Sequence, residues 1–163
     1  MVKIIAVVGT GSGCGKTTVA CSILRAIPGL GAVKISPRDG ECRIEWGAGE
    51  IGKDTDLFVG CGAAPVARII GPREKVGAAW DMIKAQFGGC KGVVMEGASS
   101  LEIPEERFGV FVSANTKDDK REERNRAMVA KSAVIIDRLS HSDIDAHLDA
   151  IRLFVAGSSN GIE

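Results

Sequence analysis

A glycine-rich loop that ends in Lys16 and Thr17 is the part of the chain best suited to chemistry. It follows an apolar stretch, Ile4 to Val8, and precedes a segment whose apolar residues recur at helical spacing. Glycines leave backbone N–H groups free to turn inward around phosphate oxygens, and a helix N-terminus adds partial positive charge. Lys16 would then bridge the β- and γ-phosphates of a nucleoside triphosphate, and the Thr17 hydroxyl would ligate Mg²⁺. The predicted nucleotide-binding residues are Gly11, Ser12, Gly13, Cys14, Gly15, Lys16, Thr17 and Thr18.

A second candidate group is the carboxylate of Glu96, which ends the apolar run from Val93 to Met95. A buried strand that ends in an acidic residue can present a carboxylate to Mg²⁺, directly or through water. We therefore expect Glu96 to act with Thr17 at a metal site.

The apolar patterning of the chain predicts strands that alternate with helices, and hence an α/β fold with three layers. The sheet is expected to be mostly parallel with helices on both faces, and ligands should bind at the C-terminal ends of its strands. The glycine loop, Lys34 and Glu96 all fall at such ends. Residues 36–52 show no clear periodicity and are expected to form a long functional loop. Strands are expected at 4–8, 31–35, 65–70, 91–95, 108–112 and 132–136, and helices from the loop to Ile27, at 54–61, at 74–87 and from Ser142 onward.

Length and composition favour one domain over residues 1–163, with 45% hydrophobic residues to build its core. Lysine and arginine total 21, as do aspartate and glutamate, so no overall charge favours nucleic acid or an anionic membrane as a partner. No apolar stretch approaches the ~20 residues of a membrane span, and the chain enters its first strand at once, so we expect a cytoplasmic protein. Five cysteines without a CxxC pair favour reduced thiols.

The loop sequence GTGSGCGKT, from Gly9 to Thr17, resembles the P-loop of dethiobiotin synthetase and of the cobyrinic acid amidases. These proteins belong to the SIMIBI class of P-loop NTPases, and the resemblance implies the P-loop NTPase fold. The loop is one residue longer than the common spacing, because Thr10 stands where a glycine is usual. ParA-like ATPases carry a lysine early in this loop, and Gly11 at that position argues against them.

The middle of the chain resembles the adaptor family of molybdopterin-guanine dinucleotide biosynthesis (MobB) in the pattern GKDT from Gly52 and in the strand ending Glu96-Gly97. Lys34, Asp54 and Glu96 match positions that surround the metal and the reacting phosphate in the related dethiobiotin synthetases. The resemblance thus implies Lys34 as a catalytic residue beside Lys16, and Asp54 as a metal ligand beside Thr17 and Glu96. A surface ion pair or a helix cap is the alternative reading for Lys34 and Asp54. Residues 35–38 depart from MobB, where histidines are usual.

Two readings of the base-recognition signal remain open. Residues 116–119, Thr-Lys-Asp-Asp, fit the [NT]KxD pattern in which the final aspartate, Asp119, accepts from guanine. The stretch from Val112 to Asp137 also resembles the hydrogenase- and urease-maturation GTPases. In that alignment the motif falls on residues 137–140, Asp-Arg-Leu-Ser, and is absent. The cofactors are therefore expected to be Mg²⁺ with either GTP or ATP.

Three functions follow from these patterns. The first is a Mg²⁺-dependent nucleotide-binding protein with slow hydrolysis, which the MobB resemblance implies to be a homodimer serving cofactor biosynthesis with a partner enzyme. The second is an ATP-dependent synthetase, similar to dethiobiotin synthetase, that phosphorylates a carboxylate or carbamate held near Lys34. The third is a nucleotide-controlled switch that regulates a partner protein, for which residues 36–52 with Trp46 are the candidate docking element.

Overall fold

The computed structural model of the protein describes residues 1–114, 122–137 and 144–157, which form an α/β fold around one sheet. The sheet has seven strands in the order β3-β4-β2-β5-β1-β6-β7, and only β3 runs antiparallel to its neighbour. The predicted class, with a mostly parallel sheet, is confirmed. The strands are β1 Ile4–Gly9, β2 Leu30–Pro37, β3 Arg43–Trp46, β4 Val66–Gly71, β5 Gly92–Glu96, β6 Arg107–Ser113 and β7 Val134–Asp137.

Helices cover both faces of the sheet, as expected for three layers. Side chains of β1 alternate between the faces, with Ile5 and Val7 in the core beneath α1, α2 and α5, and Ile4 and Ala6 in the core beneath α3 and α4. A strand buried on both faces must be apolar throughout, which explains the unbroken apolar run of β1. The helices are α1 Lys16–Ala26, α2 Asp54–Gly60, α3 Val76–Ile83, α4 Glu122–Ala130 and α5 Leu148–Ala156.

The expectation that residues 36–52 form a loop throughout is wrong for Ser36 and Pro37, which end β2, and for the four residues of β3. This strand pairs antiparallel with β4 at the edge of the sheet. Its residues alternate in character, and the Trp46 ring stacks on Phe87 with the ring centroids 6.0 Å apart. Ile44 packs on the same side, while Arg43 and Glu45 are exposed. An apolar residue at every second position of a four-residue strand is too short a pattern to recognise in sequence.

Two predicted helices have different limits in the structure. The helix expected at 74–87 is instead 3-10 turns at Arg73–Lys75 and Lys84–Phe87 on either side of α3. The last helix, α5, begins at Leu148 after a 3-10 turn at Ile144–His147. Ser142, its predicted cap, lies outside the described residues. The other predicted strands and helices are present with ends shifted by one to three residues.

Candidate functional site

The glycine loop joins the end of β1 to the start of α1. Gly13 and Gly15 have φ angles of 72° and 100°, in the left-handed region that glycine adopts without strain. Left-handed residues within such a loop turn successive N–H groups towards a common centre, which is how backbone binds anions. The loop borders a cleft of about 440 Å³ whose lining residues are Ser12, Gly13, Gly15, Lys16, Thr17, Thr18, Lys34, Asp54 and Glu96.

The Lys16 ammonium lies over this loop. Its Nζ donates to the Gly11 carbonyl oxygen at 2.5 Å and lies 3.5 Å from the Cys14 Sγ. Within the described residues, no carboxylate lies within ion-pair distance of Lys16. Its charge is therefore not neutralised inside the protein and can be used on an anion in the cleft.

The Thr17 hydroxyl lies between two carboxylates from distant parts of the chain. Its Oγ1 is 3.0 Å from Asp54 Oδ1, at the start of α2, and 3.1 Å from Glu96 Oε2, at the end of β5. A hydroxyl has a single proton to donate, so one of the two contacts is made at a time. The three side chains predicted as metal ligands therefore lie together in the structure, while their role at a metal stays a prediction.

Lys34 bridges the same two carboxylates from the other side. Its Nζ is 2.5 Å from Glu96 Oε1 and 2.7 Å from Asp54 Oδ2. Burial by itself would lower the pKa of the Lys34 ammonium, but the charge of Glu96 and the hydrogen bonds to both carboxylates raise it. Burial likewise opposes ionisation of Asp54, yet hydrogen bonds from Lys34 and Thr17 hold the pKa of its carboxyl below the ordinary value.

Glu96 is the most deeply buried charged group of the site, with 1% of its side chain exposed. An ionised carboxylate at such depth is costly unless it is paired and hydrogen-bonded. Lys34 supplies the charge at Oε1, and the Thr17 hydroxyl lies within hydrogen-bond distance of Oε2. Lys34 thus joins two kinds of partner, because Glu96 is buried whereas the side chain of Asp54 is 37% exposed, as the ion-pair alternative has it.

The donor atoms of the cleft fit Mg²⁺ chemically. Mg²⁺ takes oxygen ligands and is usually bound through one or two carboxylates, waters and substrate phosphates. Thr17, Asp54 and Glu96 supply a hydroxyl and two carboxylates within one cleft. In the described part of the chain, no group of three or more histidine, cysteine, aspartate or glutamate side chains could hold a metal. A magnesium ion here would therefore complete its shell with nucleotide oxygens and water.

A row of four charged residues crosses the sheet beside this cleft. Glu45 on β3 is the register partner of Arg68 on β4, Arg68 is that of Lys34 on β2, and Lys34 is that of Glu96 on β5. Register partners point to the same face, so the row extends from the glycine loop to the edge of the sheet. Sequence reasoning missed Arg68 and Glu45. The available signal was an arginine inside the otherwise apolar strand β4.

Neither reading of the base-recognition signal is tested by the structure. Residues 116–119 lie outside the described residues, and so do 138–140 of the alternative alignment. Asp137, the first residue of that alignment, ends β7.

None of the helices in the described residues is long and apolar enough to cross a lipid bilayer. Comparisons of the chain with protein-family models, with curated proteins and with solved structures found no match. The functional interpretation therefore rests on the residues of the cleft and on their geometry.

Proposed function

We propose that the protein binds a Mg²⁺-nucleoside triphosphate, GTP or ATP, in the cleft beside the glycine loop and hydrolyses it slowly. The observation that carries this proposal is the meeting of Lys16, Thr17, Lys34, Asp54 and Glu96 at the end of β1. These five residues come from four separate segments of the chain. They supply the ammonium, hydroxyl and carboxylate groups that phosphoryl transfer needs. On this proposal the fold is that of a P-loop NTPase.

Each side chain has a defined role in such a site. The loop N–H groups and Lys16 would hold the β- and γ-phosphates, while Thr17, Asp54 and Glu96 would hold Mg²⁺, which neutralises phosphate charge when bound. Lys34, which lines the same cleft, can donate to a γ-phosphate oxygen. These roles position the reacting groups and balance their charge, which is most of what catalysis of phosphoryl transfer requires.

Slow hydrolysis follows from how the two carboxylates are engaged. A general base must be free to accept a proton from the attacking water. Asp54 and Glu96 instead accept hydrogen bonds from Lys34 and lie next to the Thr17 hydroxyl. The hydrogen bond and the charge of Lys34 hold the pKa of Asp54 below its ordinary value, so this carboxylate is a weak base near neutral pH.

A cytoplasmic location is part of this proposal, and a homodimer that serves cofactor biosynthesis together with a partner enzyme is proposed from the MobB resemblance alone. A synthetase similar to dethiobiotin synthetase is the second candidate function. It is favoured by a larger cleft that adjoins the nucleotide cleft at Lys34 and Asp54 and could hold an acceptor. A small carboxylic acid that stimulates phosphate release from ATP would decide for the synthetase.

Calorimetric titration of ATP and GTP with Mg²⁺ tests the proposal. Lys16→Ala removes a charge-assisted contact to phosphate, worth roughly 1.5–3 kcal/mol, and should weaken binding by at least about tenfold. Lys75→Ala, at an exposed lysine that lines neither this cleft nor its neighbour, is the matched control and should bind as the wild type does. Tight, Mg²⁺-dependent binding that survives in Lys16→Ala would refute the proposal. Asp119→Ala separates the bases, because only GTP bound through the [NT]KxD pattern should be lost.

A further inference from the structure

A second cleft of about 640 Å³ lies next to the nucleotide cleft, between the segment that leads into α2 and the strands β2, β4 and β3. Lys34 and Asp54 line both clefts. The volume falls within the range of small-molecule sites, ~300–1,000 Å³. Its walls are rich in charge, since eight ionisable side chains line it. The cations are Lys34, Arg38, Arg43, Lys53 and Arg68, and the carboxylates are Glu45, Glu50 and Asp54.

The cations of this cleft are incompletely neutralised. Glu45 is shared by two guanidinium groups, 3.3 Å from Arg43 and 3.7 Å from Arg68. Arg38 and Lys53 have no carboxylate within 4.0 Å in the described part of the chain. The lining thus carries five positive and three negative charges, a surplus of two positive charges where a ligand would bind.

Arg68 lines the cleft and is held there by a hydrogen bond. Its Nε donates to the Ser36 hydroxyl at 2.9 Å, which fixes the plane of the guanidinium. Its pairing with Glu45 is long and leaves other N–H groups free to donate. An arginine held in this way matches the two oxygens of a carboxylate or a phosphate, which lysine cannot do as well.

We propose that this second cleft binds a small molecule carrying a carboxylate or phosphate group, held by Arg38 and Arg68, while the nucleotide occupies the neighbouring cleft. The inference rests on the proposed function for the nucleotide, and it names the chemical class of the second ligand. Because Lys34 and Asp54 form the common wall, the anionic group lies close to the γ-phosphate end of the nucleotide. The surplus positive charge then attracts both the nucleotide phosphates and the anionic group of the second ligand.

NMR titration tests this site with glutarate as a dicarboxylate and phenyl phosphate as a phosphate monoester. The protein is first saturated with Mg²⁺ and a non-hydrolysable nucleotide, so that the glycine loop is filled. The amides of Gly49 and Gly52, which line the cleft, report binding. We expect saturable shifts with at least one probe, and the tighter probe identifies the anionic group. Affinity should fall at least about tenfold in Arg38→Gln/Arg68→Gln and stay unchanged in Arg25→Gln, an exposed arginine of α1.

The outcomes separate this inference from the proposed function. Nucleotide binding without probe binding, or probe binding equal in Arg38→Gln/Arg68→Gln and wild type, overturns the second site alone. Absence of nucleotide binding overturns the proposed function, and the probes are then titrated onto Lys16→Ala without nucleotide. Shifts that persist in Lys16→Ala, and that disappear when Arg38 and Arg68 are also replaced, support an anion site that does not depend on nucleotide binding. Shifts that are absent in Lys16→Ala would mean that the probes had bound at the glycine loop, and this result would overturn the second site.

Discussion

The ammonium of Lys34 and the carboxylate of Glu96 are 2.5 Å apart because their residues are register partners on the neighbouring strands β2 and β5. Cross-strand partners are held side by side by the backbone ladder. The ion pair therefore does not depend on a flexible loop, and its position beside the glycine loop is set when the sheet forms. A site built on strands in this way is more rigid than one built on loops.

Removing the ammonium should destabilise the protein through Glu96. Lys34→Met leaves a carboxylate that is 1% exposed without its charge partner, and breaking a buried pair costs ~3–5 kcal/mol. Urea unfolding measures the free energy of unfolding. Lys34→Met/Glu96→Gln removes both charges and should regain most of the loss. A double variant as unstable as Lys34→Met would show that the loss comes from packing and not from the charge.

The same ammonium should compete with Mg²⁺ for Asp54 and Glu96. In the absence of nucleotide, Lys34→Met frees both carboxylates from a positive charge, and we expect Mg²⁺ affinity to rise on the order of tenfold. The measurement is the shift of Tm with increasing Mg²⁺, compared with the wild type. Asp54→Asn should show a smaller shift than the wild type. Equal shifts in all three proteins would place Mg²⁺ elsewhere.

The pair Arg73 and Glu102 should make stability depend on acid pH. Two nitrogens of Arg73 donate to the two carboxylate oxygens of Glu102, one at 3.0 Å. These hydrogen bonds hold the pKa of Glu102 below its ordinary value of 4.5, against a smaller opposing effect of burial. A carboxyl with a lowered pKa stabilises the fold above its ordinary value, and this contribution is lost as pH falls through the folded pKa.

Urea unfolding of the wild type and Glu102→Gln checks this sign. The difference should be present at pH 7, at less than about 1 kcal/mol because the pair is exposed, and should be lost as the pH falls below 4.5 and through the folded pKa of Glu102. Glu106→Gln, at a nearby exposed glutamate, is the control. A difference that grows as the pH falls would contradict the prediction.

Cys21 should resist alkylation in the folded protein. Burial, then a hydrogen bond that the Cys21 thiol donates to Cys61, raises the pKa of this thiol to about 12, and the thiolate is the reactive form. Treatment with iodoacetamide at pH 8, followed by mass spectrometry, should modify the half-buried Cys42 well before Cys21. All five thiols should react in urea. Modification of Cys21 at the rate of Cys42 would show that α1 opens readily.

Residues of the site that lie within one short motif could be predicted from sequence. Lys16 and Thr17 follow glycines between a strand and a helix, so their neighbourhood is local. Glu96 was predicted because an apolar strand ends in an acid. Their roles in binding nucleotide and metal stay predictions, whereas their position in one cleft is a structural fact.

Arg68 and Glu45 could not be predicted, because their importance depends on register. Arg68 lies 34 positions after Lys34 in the chain and only the pairing of β2 with β4 brings the two side by side. Glu45 belongs to an edge strand of four residues that follows a polar, glycine-rich stretch. Periodicity over so few residues is weak, and nothing local indicates which strand it will pair with.

The common wall of the two clefts ties their affinities together. Lys34 and Asp54 cannot change partners for a ligand in one cleft without altering the charge presented to the other. Thermodynamic linkage then requires reciprocity: if an anion in the second cleft changes nucleotide affinity by some factor, nucleotide changes the affinity of that anion by the same factor. Through the row from Glu45 to Glu96, binding of either ligand would thus change the affinity for the other.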